Sequence, residues 1–270
     1  MNIISVDTSK TLSRIAFGSC SDEDEPQPIW KYIVSNEADL WIWLGDMIYG
    51  DSDNPKVLEE KYNEQLGSEL DLNDLEFLIE AEKLKKEVIL LWLNNKTLSD
   101  FVKLPENLIY NKVPSNKIES VKILDDWDAD GNSIKLIHKL IKKVSPQVNW
   151  RQTYEEKDIG KTFLDKFAYF ELFGPNGHFL TKDMSLYVIF FDKETFYTWH
   201  NHEAEELYFV ISGSAKFESK DNKSEILNKL KTRFHKSFQP HSLTTLKEKC
   251  LCFVVWRDKL DSEVKIVKDI

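Results

Sequence analysis

The chain reads as a mainly β protein. A small barrel of short strands fills its C-terminal part, α-helices precede the barrel, and a short α/β segment opens the chain. Three observations predict this. From Trp150 onward the runs FAYFELFG, MSLYVIFF, TFYTWHNH, ELYFVISGSAKFES and CLCFVVWRD are rich in aromatic and β-branched residues and are separated by turns. Several such short strands in succession suggest a barrel or a sandwich. Residues 71–145 instead carry apolar residues at helical spacing. Residues 12–50 place two apolar runs around a helical stretch.

At the N-terminus, RIAFGSC and DLWIWLGD read as buried strands with a helix from Pro28 to Asn36 between them, a pattern that is usually parallel. Residues 51–70 are polar and without a strong period. In LNDLEFLIEAEKLKKEVILLWLNN, Leu75, Leu78, Ile79, Val88, Leu91 and Trp92 recur at helix spacing. A second helix is expected from Ser133 to Lys143, with Ile134, Ile137, Leu140 and Ile141 on one face. Pro105, Pro114 and Pro146 punctuate this part. The resulting division is 1–70, 71–149 and 150–270.

Composition narrows the function classes. With 41% hydrophobic residues the chain can bury a sizeable core, and its net charge of −10 argues against nucleic acid or an anionic membrane as partner. The longest apolar runs, at 88–93 and 250–256, fall far short of the roughly 20 residues of a membrane span. The N-terminus has no basic region followed by an apolar run, so no signal peptide is read there. Three cysteines, Cys20, Cys250 and Cys252, make a disulfide framework unlikely on count. Cys250 and Cys252 also sit too close on one strand to bridge easily. A reducing, cytoplasmic setting fits.

The segment WHNHEAEELYFVISG carries the chemistry. His200 and His202 are two apart, so on a strand they project to the same face. Glu206 follows after three intervening residues and Gly213 after six more. Glu206, Tyr208 and Val210 share one face of the next strand. His241, behind Pro240, is the fourth candidate ligand, with His235 as the fallback. Three imidazoles and one carboxylate suit a divalent first-row metal such as Fe, Mn, Zn or Ni, and few protein ligands leave positions open for water or substrate. By contrast, the stretch from Asp126 through Asp128 and Asp130 to Gly131 opens like a calcium loop. Its twelfth position is Ile137, where the bidentate Glu is required, so it reads as an acidic loop before a helix.

The pattern H-x-H-x3-E-x6-G over His200–Gly213 resembles the first motif of the cupins. The second motif is represented by Pro240-His241 and lacks its usual glycine. The resemblance implies a double-stranded β-helix barrel. More narrowly, residues 75–270 resemble the cupin-type dimethylsulfoniopropionate lyases. The stretches that carry this are Trp150-Arg-Gln-Thr-Tyr154, Phe173-Gly-Pro-Asn-Gly-His-Phe179, Tyr197 to Ala215, Pro240 to Thr245 and Phe253 to Asp258. Ser242-Leu243 stands where an Ala-Met pair is common, and Arg257 stands where a glycine is. The resemblance implies a metal-dependent β-elimination on a small zwitterion that yields dimethyl sulfide and acrylate. The family's tyrosine base falls on Tyr208 and Tyr197. The substrate's sulfonium would rest on aromatic faces, for which Trp199, Phe179 and Trp256 are candidates. Cupins also often pair through their sheets as homodimers.

The segment RIAFGSC–DLWIWLGDMIYGD, about 12–70, resembles the opening of alkaline phosphatase D and related metallophosphatases. That resemblance would make Cys20, Asp46 and Tyr49 metal ligands. The rest of that fold's motifs are absent, so the segment reads as a truncated, fused remnant. Alternatives to the lyase are another cupin metalloenzyme such as an iron dioxygenase, a non-catalytic cupin that binds a metal or ligand, and a phosphoesterase built on the N-terminal segment.

Overall fold

The computed structural model describes residues 15–18, 40–43, 54, 56–57, 72–128 and 134–268. The chain divides into two compact units, Met1–Glu82 and Lys83–Ile270. In the first, strands β1 (Ile15–Gly18) and β2 (Leu40–Trp43) pair in parallel, Ile15 opposite Leu40 and Gly18 opposite Trp43. The expected parallel pairing is therefore present. The helix expected from Pro28 to Asn36 lies outside the described residues, as do Cys20, Asp46 and Tyr49.

Helix α1 (Leu72–Leu93) begins before the division and ends after it. In the second unit its Trp92 indole donates to the Val102 carbonyl at 2.9 Å. That bond ties α1 to the end of α2 (Lys96–Phe101), whose N-terminus is capped by Asn95 Oδ1 accepting from the Leu98 amide at 3.1 Å. Strand β3 (Ile109–Tyr110) and helix α3 (Lys122–Asp125) lead to α4 (Lys135–Val144). Helix α4 buries Ile137, Leu140, Ile141 and Val144 on one stripe, as its spacing predicts, together with His138. Asp130 and Asn132 of the acidic loop lie outside the described residues. Among the described residues no helix is long and apolar enough to cross a membrane.

Between Trp150 and Phe167 the sequence reads as β, but two single-turn helices, α5 (Glu156–Ile159) and α6 (Lys161–Leu164), occupy part of it. Gly160, at φ 86°, divides them. The five long strands then appear where the alternating runs predict them: β4 (Phe167–Gly174), β6 (Ser185–Phe191), β7 (Phe196–Asn201), β8 (Glu205–Ser219) and β12 (Cys250–Arg257). Shorter strands fill the barrel: β5 (Phe179–Leu180), β9 (Glu225–Asn228), β10 (Thr232–His235), β11 (His241–Thr244) and β13 (Lys265–Ile266).

Strand β8 belongs to both walls of the barrel. Its first half pairs with β12 and β10, and its second half with β11 and β9. One wall continues from β12 through β6 and β4 to β5 and β3. The other runs from β11 through β7 to β13. The changeover falls at Gly213, whose φ of +71° is the left-handed region, and a Cβ there would stand 1.8 Å from the Lys249 carbonyl oxygen. The glycine that closes the H-x-H-x3-E-x6-G motif is thus a structural corner. The space between the walls is packed by Phe163, Phe167, Phe191, Tyr197, Tyr208, Val210 and Phe217, a continuous apolar core.

Candidate metal centre and cavity

Four of the six histidines of the chain converge on one carboxylate. Strand β8 supplies Glu206, the end of β7 supplies His200, and the residue just beyond it is His202. Strand β11 supplies His241 and β10 supplies His235. The ligating atoms of His202, Glu206 and His241 all lie within 4.8 Å of one another, and all three residues are buried. The His200 ring centroid is 4.2 Å from that of His241 and 6.4 Å from that of His202.

A backbone irregularity brings His200 and Tyr197 to the same side. His241 of β11 faces His200 while Leu243 faces Tyr197, so β7 spends three residues where β11 spends two. Such a bulge re-aims the side chains that follow it. Tyr197 consequently stacks on the His200 imidazole at 3.9 Å, with the planes 22° apart.

Hydrogen bonds fix the tautomers. The Nδ1 of His200 lies 2.7 Å from the Thr198 carbonyl, that of His202 3.0 Å from Ala204, and that of His241 2.8 Å from Gln239. A carbonyl only accepts, so each Nδ1 carries the proton and each Nε2 presents a lone pair. The Nε2 atoms of His202 and His241 stand 3.2 and 3.1 Å from the Glu206 oxygens, yet are buried and make no hydrogen bond. Lone pairs facing a carboxylate at that range repel unless a cation sits between them. These residues therefore fit a divalent metal, with His202, Glu206 and His241 as its core ligands and His200 beside them.

Glu206 is itself held from behind. His235 Nδ1 donates to Oε2 at 2.9 Å and the Trp256 indole donates to Oε1 at 3.0 Å. Burial alone would raise its carboxyl, but positive charge on the His202 and His241 imidazoles, which they carry only when no metal occupies their Nε2 atoms, more than reverses this and holds it well below the usual carboxylate range. Burial drives His200 well below the ordinary imidazole value and His235 down to about 4, which leaves both neutral, His200 as a candidate ligand and His235 as a donor to Glu206.

Beside the cluster lies a cavity of about 470 Å³. His200, His202 and Glu206 face it, as do the phenols Tyr197 and Tyr208. Burial pushes both phenols well above 10, with Tyr154 adding to the effect on Tyr197 and Glu206 to that on Tyr208. The Tyr197 and Tyr154 hydroxyls are 3.3 Å apart. An aromatic wall leads away from the cluster: Trp256 lies 4.5 Å from the His202 ring, Tyr187 lies 5.4 Å from Trp256, and Tyr169 lies 5.8 Å from Tyr187.

The structure corrects two expectations. Trp199 is not among the cavity-lining residues: it alternates with His200 along β7 and so faces away from the cluster. Phe179 is fully buried against Tyr110 and Phe173, with the Lys85 ammonium 4.6 Å from its ring, and also does not reach the cavity. Trp256 does line it, but its indole N–H is committed to Glu206. Tyr169 and Tyr187 were missed. So were Arg151 and Glu171, although a lone glutamate inside the apolar run FAYFELFG is a signal that could have found the latter. His235 need not replace His241, since the two take different positions around Glu206.

A family model described as dimethylsulfoniopropionate (DMSP) lyase matches residues 95–252, more than half of the chain. The DMSP lyase DddQ of Ruegeria pomeroyi is 29% identical over 166 residues, covering 61% of this chain and 83% of that protein. Its crystal structure superposes with a TM-score of 0.67 at 26% identity, over 70% of this chain and 96% of that one. A chain from the crystal structures of the DMSP lyases RdDddP and RnDddQII gives 0.69 at 29% identity, over 71% of this chain and 100% of the other. The family match begins downstream of residues 12–70, and none of these similarities is to a phosphatase, so the phosphatase-like reading of that segment is left without support.

Proposed function

The chain belongs to the dimethylsulfoniopropionate lyase family, and on that premise we propose that its barrel is a metal-dependent carbon–sulfur lyase that cleaves DMSP to dimethyl sulfide and acrylate. The observation that supports this most is the buried cluster of His202, Glu206 and His241, with partnerless Nε2 atoms, opening on a cavity lined by phenols and aromatic faces.

In the reaction a base removes the proton on the carbon next to the carboxylate. The electron pair forms the carbon–carbon double bond, the carbon–sulfur bond breaks, and sulfur leaves with its electrons as neutral dimethyl sulfide. A divalent cation, Fe, Mn, Zn or Ni, held by His202, Glu206 and His241 would supply Lewis acidity to the substrate carboxylate and positive charge beside the phenols. Tyr208 is the base in this reading. It stands two residues beyond Glu206 on the same strand and faces the cavity. Burial raises its pKa, so it takes up a proton readily once ionised but depends on the adjacent positive charge to ionise. Tyr197, stacked on His200 and paired with Tyr154, orients the opposite side. Tyr187, Tyr169 and the Trp256 face offer the electron-rich surface that a sulfonium prefers. The buried walls exclude water from the carbanion-like centre.

The test is acrylate production followed by proton NMR with metal-loaded protein. Tyr208→Phe is expected to lower kcat by at least about 100-fold with metal content unchanged, the size of a lost general base. Retained turnover in Tyr208→Phe together with loss in Tyr197→Phe would move the base to Tyr197.

A further inference from the structure

At the end of the cavity away from the metal cluster stands an ion pair that the elimination does not use. Arg151 donates from Nη2 to Glu171 Oε2 at 3.2 Å, and both residues line the cavity. Glu171 is 2% exposed, and its other oxygen accepts from Ser185 Oγ at 3.2 Å. Its seat is built for it: a Cβ on Gly174, at φ +146°, would stand 1.9 Å from Oε1. The Arg151 guanidinium lies 5.8 Å from the Tyr169 ring centre, and its Nε is buried without a hydrogen-bond partner. A guanidinium carries five donors, and the Arg151 side chain is 31% exposed, so donors not spent on Glu171 are open to an acceptor in the cavity. Glu171, with both oxygens engaged, fixes the fork and leaves its remaining edge available.

The distance from the cluster follows from the sheet register. Glu171 faces Tyr187, Tyr187 faces Val254, and Val254 faces Tyr208. That is three strand spacings, roughly 14 Å between backbones. A ligand with one carboxylate at the metal cluster would need a second one to engage Arg151 across that span.

We propose that Arg151, clamped by Glu171, is a second anion subsite, so that the cavity recognises small molecules carrying two carboxylates, one at the metal cluster and one at the guanidinium. The inner anchor rests on the metal-site reading above. The outer one makes dicarboxylates of suitable length ligands of this enzyme, as competitors or as alternative substrates.

The experiment is calorimetric titration of the metal-loaded protein with malonate, succinate and glutarate, each beside the monocarboxylate of equal carbon number (propionate, butyrate and valerate). At least one dicarboxylate is expected to bind about tenfold or more tightly than its monocarboxylate, the effect of a charge-assisted bidentate bond. Arg151→Met is expected to abolish that preference and leave monocarboxylate affinity and metal content unchanged. Arg151→Gln serves where the Met variant does not fold. No dicarboxylate preference at any length in the unaltered protein overturns the proposal, and so does an equal loss for both ligand classes in the variants. Because the readout is binding, failure of the lyase reading appears separately, as absence of acrylate production with the dicarboxylate preference intact.

Discussion

At the scale of single residues, the site is decided by which atom of each side chain is already spoken for. Three imidazoles spend Nδ1 on backbone carbonyls, and Glu206 is supported from behind by His235 and Trp256. Partners of this kind orient ligands and tune their basicity, and removing one commonly weakens metal binding by about 10- to 100-fold. Trp256→Phe keeps an aromatic ring beside His202 and deletes the bond to Glu206 along with part of the indole. It is expected to weaken metal affinity by that factor, read by competition with a chromophoric chelator. An unchanged affinity would reduce Trp256 to a wall residue.

The two histidines outside the cluster add to the acid sensitivity of the fold. His138 is fully buried, with Nδ1 2.9 Å from Ser212 Oγ and Nε2 2.9 Å from the Trp127 carbonyl. Burial lowers its pKa, and burial with the nearby Arg151 charge brings His178 down to about 4. Both are held neutral in the fold, while the unfolded chain protonates them near 6.5. The unfolded state therefore binds more protons below that value, and stability is lost as pH falls from about 6.5 towards 4. His178→Gln is expected to show a shallower fall of the urea midpoint over this window than the unaltered protein. Parallel curves would contradict the assignment.

At the scale of elements, the long strands were legible because their buried faces leave unmistakable aromatic and β-branched runs. Helices α1 and α4 were legible from apolar spacing. The short strands β9, β10, β11 and β13 were not, since four or fewer residues carry no period and their pairing is dictated by partners far along the chain. The ligands were readable at His200, His202 and Glu206 because a strand and its hairpin neighbour place them locally. The aromatic wall was not readable, because Tyr169 and Tyr187 reach the cavity only through sheet register, whereas the outward facing of Trp199 follows from its alternation with His200. Gly213 was read as part of a motif, and its physical role is the corner of β8. Gly213→Ala places a Cβ against the Lys249 carbonyl and strains the left-handed backbone. It is expected to destabilise the barrel by about 1–3 kcal/mol in urea denaturation. A change within a few tenths of that of a surface substitution would mean that the corner relaxes freely.

At the scale of the whole molecule, a barrel whose walls share one long strand brings five chain segments to one buried carboxylate, and its cavity joins that carboxylate to an aromatic wall and a clamped arginine. Fold and family place the chemistry in Lys83–Ile270. The central claim is that metal bound at Glu206 and its histidines enables DMSP cleavage. The most direct measurement is headspace dimethyl sulfide from the full chain given DMSP, apo and then loaded with Mn, Fe, Ni or Zn, beside Glu206→Gln. The expected result is gas release that appears on loading, matches acrylate mole for mole, and is lost with the metal in the variant. Stoichiometric metal binding without dimethyl sulfide under any of these metals would contradict it.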